Sequence, residues 1–136
     1  LNDNDEYLHC YFYAEIHGIP EELKDYNTNE EGLLSGEAEA EATLGIMLRE
    51  PRMLHLAIEP ISLLASEVSY DKKKQTVTIS MNKNSGDGIY RGGALLDTIL
   101  QHRNEGGCDQ RMYVEFELFV GIDSKILEEL SAQRRL

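Results

Sequence analysis

The stretch with most capacity for chemistry is Ser85-Gly-Asp-Gly-Ile-Tyr-Arg-Gly-Gly-Ala-Leu-Leu-Asp-Thr-Ile-Leu100, where a β-rich run meets four glycines and turns into an apolar helical stripe. Glycine permits positive φ and close backbone approach, and the free N–H groups at the start of a helix attract an anion. Within the Gly86–Gly93 loop, Gly88, Arg91, Gly92 and Gly93 are therefore the candidate ligand-binding residues, offering backbone N–H groups and one guanidinium to a phosphate. The spacing is neither GxGxxG nor GxxxxGKS/T, so no known nucleotide loop is written here. A tight turn that lets a helix pack closely on a strand explains the same glycines.

Other reactive side chains have structural explanations. Glu115 and Glu117 stand two apart and could act as an acid and a base, but strand alternation puts them on a face expected to be exposed. His9 lies between tyrosines, His17 ends a strand, His55 sits in an apolar run as a hydrogen-bonded core histidine, and His102 with Arg103 suits a helix C-terminus. No two histidines have the i, i+4 spacing of a helical metal site, and no serine sits in a nucleophile elbow. Cys10 alternates with Leu8 and Phe12 as a small buried hydrophobe, and Cys108 follows two glycines in a loop with nothing nearby to activate it. No catalytic residue, metal site or cofactor is expected.

The elements that must position these residues follow from periodicity. Leu8, Cys10, Phe12, Ala14 and Ile16 alternate with Tyr7, His9, Tyr11, Tyr13 and Glu15, which predicts a half-buried strand with a tyrosine-rich outer face. Ser35 caps a helix near 36–49 with carboxylates in its first turns and the stripe Ala40, Leu44, Met47 and Leu48, and Pro51 stops it. Strands are predicted over Ile61–Tyr70 and Gln75–Met81, joined by a turn at Asp71-Lys-Lys-Lys74 whose lysines are solvated. A helix near 92–103 carries Leu95, Leu96, Ile99 and Leu100. The strand Met112–Val120 and a last helix near 123–133, with Ile126, Leu127 and Leu130 on its apolar side, complete the order β-α-β-β-α-β-α. The expected fold is α+β, a mixed β-sheet with about three packed helices.

A chain of 136 residues with 41% apolar content suits a single α+β domain over 1–136. It begins at Leu1, as a fragment of a longer protein would, and nothing in it is ordered like a secretory signal or is apolar enough for a membrane span, so a cytoplasmic location is expected. The net charge is −12, and residues 1–68 hold 15 acidic against 3 basic side chains while residues 69–136 hold 10 of each. An acidic half of this kind repels phosphates, so direct nucleic-acid binding is disfavoured. The tyrosine face lies among carboxylates rather than basic residues, which points to a protein partner or self-association.

The run Ile46-Met-Leu-Arg-Glu-Pro-Arg-Met-Leu-His-Leu-Ala-Ile-Glu-Pro-Ile-Ser-Leu-Leu-Ala65, the strand-turn-strand to Met81, then Gly88-Ile-Tyr-Arg-Gly-Gly93 and Tyr113 to Asp123 resemble the AIPR (abortive infection phage resistance) family, whose corresponding region is similar to DGQHR and ParB-like domains. The similarity covers roughly residues 19 to 136 and rests on order and spacing. Where such proteins read approximately NRGI this chain has Ile58-Glu59-Pro60-Ile61, and where they read approximately GIxDGGHT it has Gly88-Ile89-Tyr90-Arg91-Gly92-Gly93-Ala94-Leu95. Ile61, Gly88, Ile89, Gly92 and Gly93 carry over, whereas the polar Asn, Arg, Asp, His and Thr do not; Ala132-Gln-Arg-Arg135 stands for an ARNT-like segment. An alanine methyl cannot donate, accept or transfer a proton as an imidazole can. The resemblance thus implies an antiviral-defence domain that serves as a scaffold or regulatory module without catalysis of its own. The alternatives are a nucleotide- or phosphate-binding domain using the Gly86–Gly93 loop, and an acidic nucleic-acid mimic that inhibits a DNA-handling protein.

Overall fold

The computed structural model describes residues 7–27, 37–106 and 110–134. Ser35, the expected cap, and Cys108 lie outside these residues, as does the side chain of Leu130. The strands are β1 (Leu8–Glu15), β2 (Ile61–Ala65), β3 (Glu67–Asp71), β4 (Thr76–Ser80), β5 (Gly88–Arg91) and β6 (Tyr113–Val120). The helices are α1 (Glu37–Arg49), a single turn α2 (Leu54–Ala57), α3 (Gly93–Asn104) and α4 (Ser124–Arg134). Together they make an α+β fold with a mixed sheet and three longer packed helices, as the periodicity predicts.

Four strands lie in the order β1-β6-β2-β5, with β6 and β2 parallel and the outer pairs antiparallel. The run expected as one strand from Ile61 to Tyr70 is two strands in different sheets. Ile61–Ala65 is buried along its whole length in the centre of the main sheet, while Glu67–Asp71 pairs with Thr76–Ser80 as a separate two-stranded hairpin. The break falls at Ser66, whose N–H donates to Ser80 O and whose hydroxyl donates to the buried Asp87, so its polar groups are satisfied by the hairpin exit instead of the sheet. At the hairpin tip Asp71 accepts from the N–H groups of Lys73 and Lys74, and the three lysines are exposed as expected.

The inner face of the sheet carries Ile61, Leu63, Ile89, Val114, Phe116 and Leu118 against α1 and α3, which supply Met47, Leu96, Ile99 and Leu100. In α1 the buried stripe includes Thr43, whereas Leu48 is exposed, a correction to the expected stripe: positions 43 and 47 are one turn apart and Leu48 falls on the flank. The outer face is apolar at one end only, where Leu127 of α4 covers Leu64 and Phe119. Ile126, expected beside it, is exposed, because one position further round α4 points to solvent. Packing in the described core is thus concentrated on the inner face, and the outer face is left to polar chemistry.

Candidate functional site

On β6 the outward series is Tyr113, Glu115, Glu117 and Phe119, so Glu117 belongs to the face expected to meet solvent. It does not: it is 3% exposed. Parallel pairing sets Ser62 of β2 opposite Glu117 on one side, and antiparallel pairing sets Tyr11 of β1 opposite it on the other. Ser62 Oγ donates to Glu117 Oε1 at 2.8 Å, and Tyr11 OH donates to Oε2 at 2.7 Å. His9, opposite Phe119 in the register, stacks on that ring with centroids 4.5 Å apart and brings Nε2 to 2.8 Å from Oε2. A carboxylate removed from water is costly unless its oxygens are bonded, and here both are.

This arrangement limits the chemistry available. An imidazole that donates from Nε2 to a carboxylate keeps its Nδ1 lone pair as an acceptor. The hydroxyls of Ser62 and Tyr11 point to the carboxylate rather than to the imidazole, and so neither is held as a nucleophile against a base. The cluster is a polar tie across three strands that leaves Tyr11 and the His9 ring partly open, at 51% for the residue and 37% for the side chain. Sequence reasoning treated Glu117 as a surface carboxylate. The overlooked signal is the uninterrupted Ile61-Ser-Leu-Leu-Ala65, since a strand without polar alternation is covered on both faces and so shelters the residues beside it.

The glycine-rich stretch is not one loop. Asn82 to Gly86 forms a turn closed by Asn82 and the buried Asp87, whose carboxylate accepts from Ser66 Oγ and Asn82 N. Next comes β5, a strand where only a turn was expected, and then Gly92 caps α3. Its pairing with β2 carries a bulge between Ser62 and Leu63, so Arg91 pairs with Ser62 and Ile89 with Leu63. The bulge thereby brings Arg91 into register with the row Tyr11, Glu117 and Ser62. Gly88 sits apart, buried on the strand opposite Leu64. Gly92 has φ +87°, and a β-carbon there would come to 2.9 Å from Ile61 Cγ1 and 3.3 Å from Ile61 Cα. A β-carbon on Gly93 would collide with the side-chain amide of Asn27, whose residue bridges to Ile89 at the outer side of β5. At these two positions the protein's own atoms occupy the adjoining space.

A second polar cluster anchors the end of β1. Arg103 of α3 donates from Nη1 to the carbonyls of Ile16 and Ile19 and from Nη2 to Glu21, so it reaches across to the turn rather than merely closing its own helix. The Asn104 amide, with Lys24 and Arg103, holds the Glu21 carboxyl down at about 2. At Glu15 burial raises the pKa, but hydrogen bonds from Met112 N–H and from His17 outweigh it and the net direction is down. The phenol of Tyr13 is raised, first by the charge of Glu115 across the strand pair. His55 is half-buried edge-on to the Tyr13 ring, and its Nδ1 is buried without a hydrogen-bond partner, which corrects the expectation of a hydrogen-bonded core histidine.

Among the described residues no group of three or more His, Cys, Asp or Glu converges in a way that could hold a metal ion. Nor, among them, is any helix long and apolar enough to cross a membrane. No family model matches the chain, and neither a curated protein nor a solved structure matches it.

Proposed function

We propose that this chain is a domain of the abortive-infection phage-resistance type that acts as a scaffold or regulatory module for a protein partner rather than as a catalyst. The observation that carries this reading is the close packing of Gly92 and Gly93 against Ile61 and Asn27. Four of the five residues shared with the resembled family, Ile61, Ile89, Gly92 and Gly93, take part in this one junction of β2, β5 and α3, and the fifth, Gly88, lies on β5 itself. They are fold-forming residues, while the family's polar Asn, Arg, Asp, His and Thr are absent here, with Arg91, Ala94 and Leu95 standing near their places. The Glu117 carboxylate supports the same reading, because it accepts from three groups of the protein itself, Ser62, Tyr11 and His9, as a tie between strands does.

A second reading draws on one observation, the delivery of Arg91 by the bulge to the end of β5, directly before α3. In that case the domain binds a nucleotide or another phosphate there. Two measurements separate the readings. Bacteria carrying the gene with its neighbours are challenged with phage, and plating efficiency is compared with that of Arg91→Ala and Tyr13→Arg variants. Partner binding through the tyrosine face predicts that protection survives Arg91→Ala and falls with Tyr13→Arg. A melting temperature that rises with millimolar nucleoside triphosphate, and no longer rises in Arg91→Ala, would establish the phosphate site instead, since a ligand stabilises only the state that binds it.

A further inference from the structure

The two edges of the main sheet are built differently. β5 is four residues long, carries a bulge, and has Asn27 bridged to Ile89 along its outer side. β1 is eight residues long, pairs with β6 in unbroken register from Leu8 to Glu15, and contains neither proline nor lysine nor a bulge. Among the described residues no strand pairs with its other side. Long regular edges of this kind are ordinarily blunted by the devices that β1 lacks.

Beside that edge, on the inner face, runs an open groove of about 1270 Å³. One wall is Cys10, Phe12 and Ala14 of β1, and the other is Val68, Val77 and Ile79 of the β3–β4 hairpin. Side chains of any strand added beside β1 alternate between this groove and the outer face, with a period of two. On the outer face the added strand would meet Tyr11 and Tyr13, which are exposed, with Glu115 one strand further in. The first fifteen residues hold four carboxylates and no lysine or arginine. Tyrosine faces next to carboxylates favour lysine or arginine.

We propose that β1 is the docking edge for an extended segment of a protein partner, which adds as a strand beside Leu8–Glu15, inserts apolar side chains at alternate positions into the groove, and presents lysine or arginine between them to the tyrosine face. This rests on the reading of the chain as a partner-binding module and names how the partner is held. Backbone hydrogen bonds supply the affinity and the alternating pockets the specificity. A second copy is the poorer occupant, because it would set two chains of net charge −12 edge to edge with four carboxylates at each amino end.

The test uses fluorescein-labelled peptides about ten residues long, enough to span β1, with Val, Ile, Leu or Phe at alternate positions and Lys or Arg between them. Fluorescence anisotropy with the full chain is expected to show saturable binding by members of this set, weakened at least about tenfold when Glu replaces the basic residues. N-methylation of alternate peptide bonds should abolish binding in one phase and leave it in the other, because only every second N–H of an added strand faces β1. Val77→Glu, checked for an unchanged circular dichroism spectrum, should weaken binding by a similar factor. The proposal is overturned if no member binds at about 1 mM, if both N-methylated phases bind alike, if the glutamate peptides bind equally well, or if sedimentation shows a dimer that excludes the peptide. A genomic neighbour that binds the chain and is not displaced by the peptides would overturn the docking edge while leaving the scaffold reading standing.

Discussion

The glycine turn and the Glu117 row lie side by side in one sheet and reverse what their residue types suggest. The turn has the composition of a ligand loop, yet Gly92 and Gly93 are pressed against Ile61 and Asn27. The row has the alternation of a solvated strand face, yet it encloses a carboxylate held by Ser62, Tyr11 and His9. Glycine reports only that something comes close, not whether it is a ligand or another part of the chain. A carboxylate likewise reports charge, not whether neighbouring strands leave it in water.

The largest expected effect comes from Glu117→Ala, which strips the acceptor from a buried serine and from two further donors. It should lower stability by about 2–4 kcal/mol in urea unfolding, with Glu117→Gln closer to wild type because the amide oxygen still accepts. A loss below that of an ordinary surface substitution would mean the row is solvated after all. Next comes Gly92→Val, where a left-handed backbone and the nearness of Ile61 combine. The expected loss is about 1–3 kcal/mol, and an unchanged urea midpoint would break the contrast by showing that the turn has room.

Acid sharpens the comparison from outside both regions. Glu21 titrates at about 2 in the folded protein and higher when unfolded, and Glu15 is also lowered, so their stabilisation is complete above the unfolded carboxylate range. It is lost as pH falls through their folded values. The melting temperature should therefore drop from about pH 4.5 downward towards 2, and Glu21→Gln should flatten that drop while Gly92→Val shifts the whole curve without changing its slope. The smallest effect is expected at the exposed hairpin tip, where Lys73→Ala should stay within about 0.5 kcal/mol of wild type in the same urea titration.

Much of the fold was legible before any coordinates. Alternation located β1 and β6 to within a residue, and apolar stripes, the first stopped by Pro51, located α1 and α3. Local preference and period are properties of neighbouring residues, so the chain itself carries them. The same reasoning ran Ile61–Tyr70 together, because nothing in its residue types marks where Ser66 exchanges the sheet for the hairpin. It missed β5, whose four residues are too short for a period to appear.

The element types, their order, the acidic imbalance and the outward tyrosines of β1 thus follow from residue pattern alone. Long-range pairing alone brings Ser62, Tyr11 and His9 together at Glu117, sets Arg91 in their row through a bulge, and places β1 at the end of the sheet with no strand on its other side among the described residues. Periodicity assigns a side chain to a face, but which strands lie on either side of it depends on pairings between residues 55 to 112 positions apart.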